Sequence, residues 1–213
     1  MKLFLKDTLI LLLITAVAGA LLGFVNELTK EPIARYEVEK KALACGEVFF
    51  EENENGELCP VKDLTFEAVD SSTVEAFNTT LQGKIAEDVV INEIYCAYEQ
   101  DVFYGYVIGV TSKKGYNGEI SFYVGITEVG QLKGVSLLQI AETPGLGMNA
   151  ERVLLPQFRD VKAGIFTVVK TGSVSEDEID AISGASITSQ AITDGVNAAY
   201  ECYCILQEGG ETL

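Results

Sequence analysis

The N-terminal part of the chain contains the feature that most restricts how the chain can fold. Residues 8–26 form an unbroken run of 19 residues without a charge, most of them Leu, Ile, Val, Ala and Gly. As a helix rising about 1.5 Å per residue, this run spans about 30 Å, which is the thickness of the hydrocarbon core of a bilayer. We therefore expect one transmembrane helix here and a water-soluble domain after it.

A cleaved signal peptide is the alternative interpretation of this run. Two lysines precede it, and Ala16, Ala18 and Ala20 offer small-residue cleavage sites. The apolar run continues through residues 21–25, beyond these sites, which favours a retained anchor. Two basic residues precede the run and four follow within residues 30–41, so the positive-inside rule leaves the orientation open.

Charge and composition exclude several classes of function. The formal net charge of −17 argues against nucleic acid as a partner, because an acidic surface cannot neutralise phosphates. The chain has no His and no CxxC pair, so we expect neither a protein-built metal site nor an acid–base catalytic residue. This composition hints at a bound cofactor. Cys45 and Cys59 could form a disulfide outside the cytoplasm, or the five cysteines could all be reduced thiols.

The soluble part has the pattern of helices before and after a group of strands, which predicts an α+β domain. A helical stalk is expected at residues 27–44, a loop at 51–63 and an ambiguous segment, which could be a helix, at 65–88. Strands are expected at 94–98, 102–111, 120–127, 134–139 and 166–169, a short helix at 150–158 and a final helix at 189–205. In this last helix the apolar residues Ile192, Val196, Ala199 and Tyr203 have the spacing of a helix packed on a sheet.

The segment before the final helix carries the strongest chemical signal. Gly184 and Ala185 leave the backbone open to close approach, and the four hydroxyls of Ser183, Ser186, Thr188 and Ser189 lie within seven residues. A helix start supplies N–H groups and a dipole that favour phosphate. The simpler alternative is that Ser186 or Thr188 only caps the helix, and these residues alone do not decide between the two.

The run DAISGAS at residues 180–186 resembles the flavin-attachment motif of the FMN-binding domain family, Asp-x-x-(Ser/Thr)-Gly-Ala-(Thr/Ser). In that family a flavin transferase takes FMN from FAD and joins its phosphate to the last hydroxyl of the motif. The resemblance implies a covalent FMN on Ser186, where Thr is more common, with Thr188 as the fallback acceptor. It also implies that Ser183, Gly184, Ala185, Ile187 and Thr188 contact the cofactor.

Two further stretches resemble the same family. The run ETPGLG is similar to a family loop close to the flavin, which implies cofactor contacts from Glu142, Thr143, Pro144, Gly145, Leu146 and Gly147. The run KGYNG at residues 114–118 resembles a Gly-Tyr-Gly-Gly turn, with Asn117 in place of one Gly, and adds Tyr116 to the expected site.

Chain length, the single anchor and these motifs together resemble the G subunits of Rnf complexes, the ion-translocating ferredoxin:NAD oxidoreductases. This implies a cytoplasmic N-terminus (1–7), a transmembrane helix (8–26), a stalk and loop (27–64) and an FMN-binding domain (65–213) with a central, mostly antiparallel sheet and flanking helices. The domain would lie outside the cytoplasmic membrane and relay electrons to other membrane subunits, coupled to Na⁺ or H⁺ movement. The alternatives are a C-type subunit of the sodium-pumping NADH:quinone oxidoreductase and a flavin-free, membrane-anchored binding or sensor domain.

Overall fold

The protein is described here by a computed structural model that covers residues 2–52, 58–170 and 172–208. The helices of these residues are α1 (Lys2–Glu47), α2 (Ser71–Leu81), α3 (Ala150–Val153) and α4 (Ser186–Glu208), with 3₁₀ turns at Gly147–Asn149 and Leu155–Phe158. The strands are β1 (Phe50–Glu52), β2 (Leu58–Pro60), β3 (Leu64–Ala68), β4 (Val89–Glu99), β5 (Val102–Ser112), β6 (Ile120–Thr127), β7 (Gln131–Gln139), β8 (Val161–Lys162), β9 (Thr167–Val169) and β10 (Glu178–Asp180).

The chain divides into two compact units, Met1–Ala42 and Leu43–Leu213. In the first unit, α1 carries the apolar run with its side chains exposed. Among the described helices, α1 is the one that is long and apolar enough to cross a membrane. A signal sequence passes the same test of length and composition. The predicted stalk is helical and continues the apolar run without a break, with Pro32 inside the helix.

The second unit is built on a six-stranded sheet in the order β3-β4-β5-β6-β7-β8. Every neighbouring pair in this sheet is antiparallel, which confirms the predicted α+β fold with a mostly antiparallel sheet. The only parallel pair among the described strands joins β9 to β10, outside the main sheet. Because β10 ends at Asp180, this small ladder leads the chain directly into the segment before α4.

The two faces of the sheet bury different partners, as the alternation of side chains along a strand requires. Phe122 and Val124 on β6 belong to the larger core, together with Ile192 and other buried residues of α4. Tyr123, between them, faces the other way and packs in a second core with residues at the end of α1 and with Val48 and Phe49, just before β1. In α4, Ile192, Val196 and Ala199 are buried as predicted, and Tyr203 is half-buried.

Two sequence interpretations need correction. The ambiguous segment 65–88 is not one helix, because it pairs first with β4 as the edge strand β3 and only then forms α2. The expected loop at 51–63 includes β1 and β2, which pair with each other on either side of residues 53–57 that lie outside the described chain. The structure contains no disulfide among the described cysteines, which agrees with the reduced alternative of the two that the sequence left open.

Candidate functional site

A tight turn before α4 places Ser186 at the first position of that helix. The amide of Ala185 donates to the carbonyl of Ile182 at 2.9 Å, and Gly184 in the third position has a φ of 77°, as a type II turn requires. The buried hydroxyl of Ser189 ties this turn to the helix. It accepts from the amide of Ile182 at 2.9 Å and donates to the carbonyl of Ala185 at 3.0 Å. Ser186 is thereby held, half-buried, at the helix start.

A second turn of the same kind faces the first one. The amide of Leu146 donates to the carbonyl of Thr143 at 3.1 Å, with Pro144 second and Gly145 third in the turn. Gly145 has a φ of 80°, so the sequence TPGL has the composition of a type II turn. The side chain of Leu146 lies 3.1 Å from where a Cβ on Gly184 would be, so the two turns touch.

Glu142 joins this second turn to the KGYNG segment. Its buried side chain accepts from the backbone amide of Tyr116 through Oε1 at 2.7 Å. The side-chain amide of Asn117 makes a parallel connection, since it donates to the carbonyl of Ala141 at 2.8 Å. Gly147 is also tightly placed, because a Cβ there would lie 2.7 Å from the Cβ of Glu142. The second turn, the KGYNG segment and the start of α4 therefore form one site.

These segments surround a cavity of about 450 Å³, a volume within the range of small-molecule sites. Its lining residues are Tyr116, Glu142, Thr143, Leu146, Gly147, Gly184, Ala185, Ser186, Ile187 and Thr188. All of them belong to the site predicted above. The three other predicted residues, Ser183, Pro144 and Gly145, are exposed at the centres of the two turns and do not line the cavity.

The two candidate acceptor hydroxyls differ in their surroundings. Ser186 is half-buried, whereas only 1% of the surface of Thr188 is exposed to solvent. Within the described residues, the Oγ1 atom of Thr188 is buried without a hydrogen-bond partner. A reaction partner can therefore approach the hydroxyl of Ser186 more easily than that of Thr188.

The walls of the cavity contain hydroxyl groups and one carboxyl group but no cationic side chain. None of its lining residues is Lys or Arg, and Glu142 is the one carboxylic acid among them. The first N–H groups of α4 have no partner inside the helix and carry the positive end of its dipole. Lys114 lies close in sequence, but its amine is 2.6 Å from Asp88, and this hydrogen bond raises the pKa of Lys114. An anionic group bound in the cavity would therefore be held by backbone amides.

Sequence reasoning missed the side chains that tie the turns together. Asn149 donates to the carbonyl of Gly145 at 2.7 Å, and Ser189 and Asn117 make the connections described above. Asn117 counted against the motif because the family has Gly there, yet its amide makes a bond that Gly could not make. A polar amide next to a turn residue is the only sequence signal that could have suggested these roles.

Comparison with known proteins first defines the class. Residues 115–201 match the family model described as the FMN-binding domain, and this range contains every residue that lines the cavity. A structural likeness to the crystal structure of Shewanella oneidensis NqrC has a TM-score of 0.49 at 14% identity, covering 70% of this chain and 85% of that one. A likeness at this level does not identify the function of the chain.

The relatives then define the family. The G subunit of the Na(+)-translocating ferredoxin:NAD(+) oxidoreductase complex of Acetobacterium woodii is 32% identical over 204 residues, covering 95% of this chain and 92% of that one. The G subunit of the proton-translocating ferredoxin:NAD(+) oxidoreductase complex of Clostridium ljungdahlii is 42% identical over 108 residues, covering 50% of this chain and 57% of that one. The chain belongs to the family of G subunits of ion-translocating oxidoreductase complexes.

Proposed function

We propose that this chain is the electron-carrier G subunit of a membrane ferredoxin:NAD oxidoreductase complex of the Rnf type. It carries FMN bound through a phosphoester to Ser186, and other membrane subunits of the complex donate and accept its electrons, coupled to Na⁺ or H⁺ translocation. The observation that carries this proposal is the cavity in which an accessible hydroxyl, a helix start and two type II turns meet. The full-length similarity to G subunits favours this function over that of a C-type subunit of a quinone reductase.

The residues of the cavity fit a flavin on two grounds. The buried hydroxyl of Thr188 lacks a partner within the described chain, so a bound polar group can supply one. Ser186 supplies an accessible hydroxyl beside a wall that includes Gly147 and Gly184, against which Glu142 and Leu146 pack closely. Backbone amides at the start of α4 would hold the phosphate, and Leu146, Ile187 and Tyr116 offer apolar surface to the ring.

Attachment at Ser186 needs only that the chain present its hydroxyl. The oxygen of Ser186 forms a bond to the FMN phosphorus of FAD while the pyrophosphate bond breaks, so that AMP leaves and the hydroxyl proton is released. A flavin transferase supplies the catalysis in this proposal. The chain contributes a turn that fixes Ser186 and a helix dipole that favours the transferred phosphate.

When bound, FMN supplies the reversible uptake and release of electrons, and the chain supplies its binding and surroundings. We propose that α1 anchors the chain in the cell membrane and that the flavin domain lies on the outer side. A covalent bond suits that location, because an exported domain cannot recapture a cofactor that it loses to the medium.

The direct test is flavin fluorescence in a denaturing gel of the full chain, co-expressed with a flavin transferase. We expect a fluorescent band from the parent and from Ser186→Thr, which keeps a hydroxyl, and no band from Ser186→Ala. A dark parent band would support the flavin-free alternative. A band that persists in Ser186→Ala would move the attachment to another residue, and Thr188→Ala identifies Thr188 if it then removes the band.

A further inference from the structure

Thr188, the third residue of α4, carries a buried hydroxyl without a hydrogen-bond partner in the described chain. Threonine in a helix commonly donates to the carbonyl four residues earlier, and Thr15, Thr79 and Thr80 do so in this protein at 3.0 Å each. The hydroxyl of Thr188 makes no such bond and has no other partner among the described residues. An unpaired buried hydroxyl is unfavourable, and because Thr188 lines the cavity, a bound group can complete it.

The surroundings of this hydroxyl show where its partner would be. Thr188 lines the cavity, and its Oγ1 lies 2.7 Å from where a Cβ on Gly147 would be. The hydroxyl therefore lies against Gly147, which also lines the cavity and has no side chain to stand between the hydroxyl and a bound group. Ser186 lies two residues away, which is about 200° around the helix, so the two hydroxyls face different parts of the cavity.

We propose that Thr188 donates a hydrogen bond to the ring system of the bound flavin and raises its midpoint potential. This inference rests on the proposed function, and it makes Thr188 a cofactor-tuning residue instead of a second attachment point. In this proposal the phosphate would be on Ser186, and because the two hydroxyls face different parts of the cavity, the ring system is the part of the cofactor that would meet Thr188. A donor there stabilises the electron-rich reduced form more than the oxidised form.

The chain offers a matched control in the same helix. Thr193 is fully buried in α4, and its Oγ1 also lacks a partner within the described residues, but Thr193 does not line the cavity. Valine has nearly the shape of threonine without its hydroxyl. Thr188→Val and Thr193→Val thus remove the same group from the same kind of environment, one inside the cavity and one outside. Thr188→Ser restores a hydroxyl at the site.

The experiment uses the full chain, co-expressed with a flavin transferase and purified in detergent. For the parent and these three variants it measures covalent flavin on a denaturing gel, the visible absorbance spectrum and the midpoint potential. We expect all four to carry covalent flavin. Only Thr188→Val should show a shifted spectrum and a lower midpoint potential. This corresponds to a roughly three- to tenfold fall in the preference of the site for reduced over oxidised flavin. A tenfold change is about 30 mV for a two-electron couple.

Equal spectra and potentials in Thr188→Val and Thr193→Val would overturn the inference, and so would loss of covalent flavin from Thr188→Val. Thr188→Ala replaces the valine variant if that protein does not fold. A parent without covalent flavin would contradict the proposed function instead. In that case, titration of the same proteins with free FMN still tests Thr188, since a roughly three- to tenfold weaker affinity in Thr188→Val alone supports its role.

Discussion

At the scale of single residues, the site depends on Glu142, because one side chain joins two loops that are distant in sequence. Replacement by Ala removes the acceptor of the Tyr116 amide and leaves that amide without its partner. We expect Glu142→Ala to lower the free energy of unfolding by about 1–3 kcal/mol. Glu142→Gln keeps an acceptor oxygen and should lose less than about 1 kcal/mol. Urea unfolding of both variants checks this, and equal losses would show that the hydrogen bond is unimportant.

The residue scale also shows what a sequence can reveal about a site. The motifs at residues 114–118, 142–147 and 180–186 indicated the lining of the cavity through their resemblance to a family. Local patterns alone would not have joined them, because the contacts between these segments depend on the tertiary fold. The missing partner of Thr188 is a matter of side-chain orientation, which no sequence pattern encodes.

At the scale of elements, the second face of the sheet contains a partly buried polar cluster that makes stability depend on pH. Tyr95 on β4 and Tyr123 on β6 donate to the two carboxylate oxygens of Glu93, at 2.9 and 2.5 Å. Burial, followed by the hydrogen bond to Glu93, raises the pKa of Tyr95 to about 12. Burial also raises the pKa of Tyr123.

The direction of the pH effect follows from these raised pKa values. Tyrosines of the unfolded chain lose their protons near pH 10, whereas the folded protein keeps the proton of Tyr95 up to about pH 12. The free energy of unfolding should therefore be unaffected by these groups below about pH 10 and fall between about pH 10 and 12. Tyr95→Phe and Tyr123→Phe should each make this fall less steep, as measured by urea unfolding at several pH values. Unchanged slopes in both variants would contradict the assignment.

Elements with long periodic patterns were predictable, and short ones were not. The strands from β4 to β7 and the helix α4 carry enough apolar residues for their period to stand out. The strands β1, β2 and β10 have three residues each, too few for a period. The edge strand β3 has only five residues, none of them fully buried, so its sequence is too short to distinguish the period of a strand from that of a helix.

At the scale of the whole molecule, α1 contains the candidate membrane-spanning segment, and the second unit has its own cores. Deletion of residues 8–26 should release the chain from the membrane fraction and leave the circular dichroism of the soluble domain intact. The end of α1 must stay, because Ala44 and Cys45 are buried in the second core. Retention of the shortened chain in washed membranes would show that another surface holds it there.

The central claim is that one hydroxyl, that of Ser186, carries the flavin. The chain has no Lys or Arg after Lys170, so trypsin releases a single peptide of residues 171–213 that contains both candidate acceptors. The claim is tested directly by measuring the mass and the fragment ions of this peptide, taken from the full chain co-expressed with a flavin transferase. We expect the mass of FMN less one water, with fragment ions that place it on Ser186. An unmodified peptide, or a flavin placed on Thr188 or any other residue, would contradict the account.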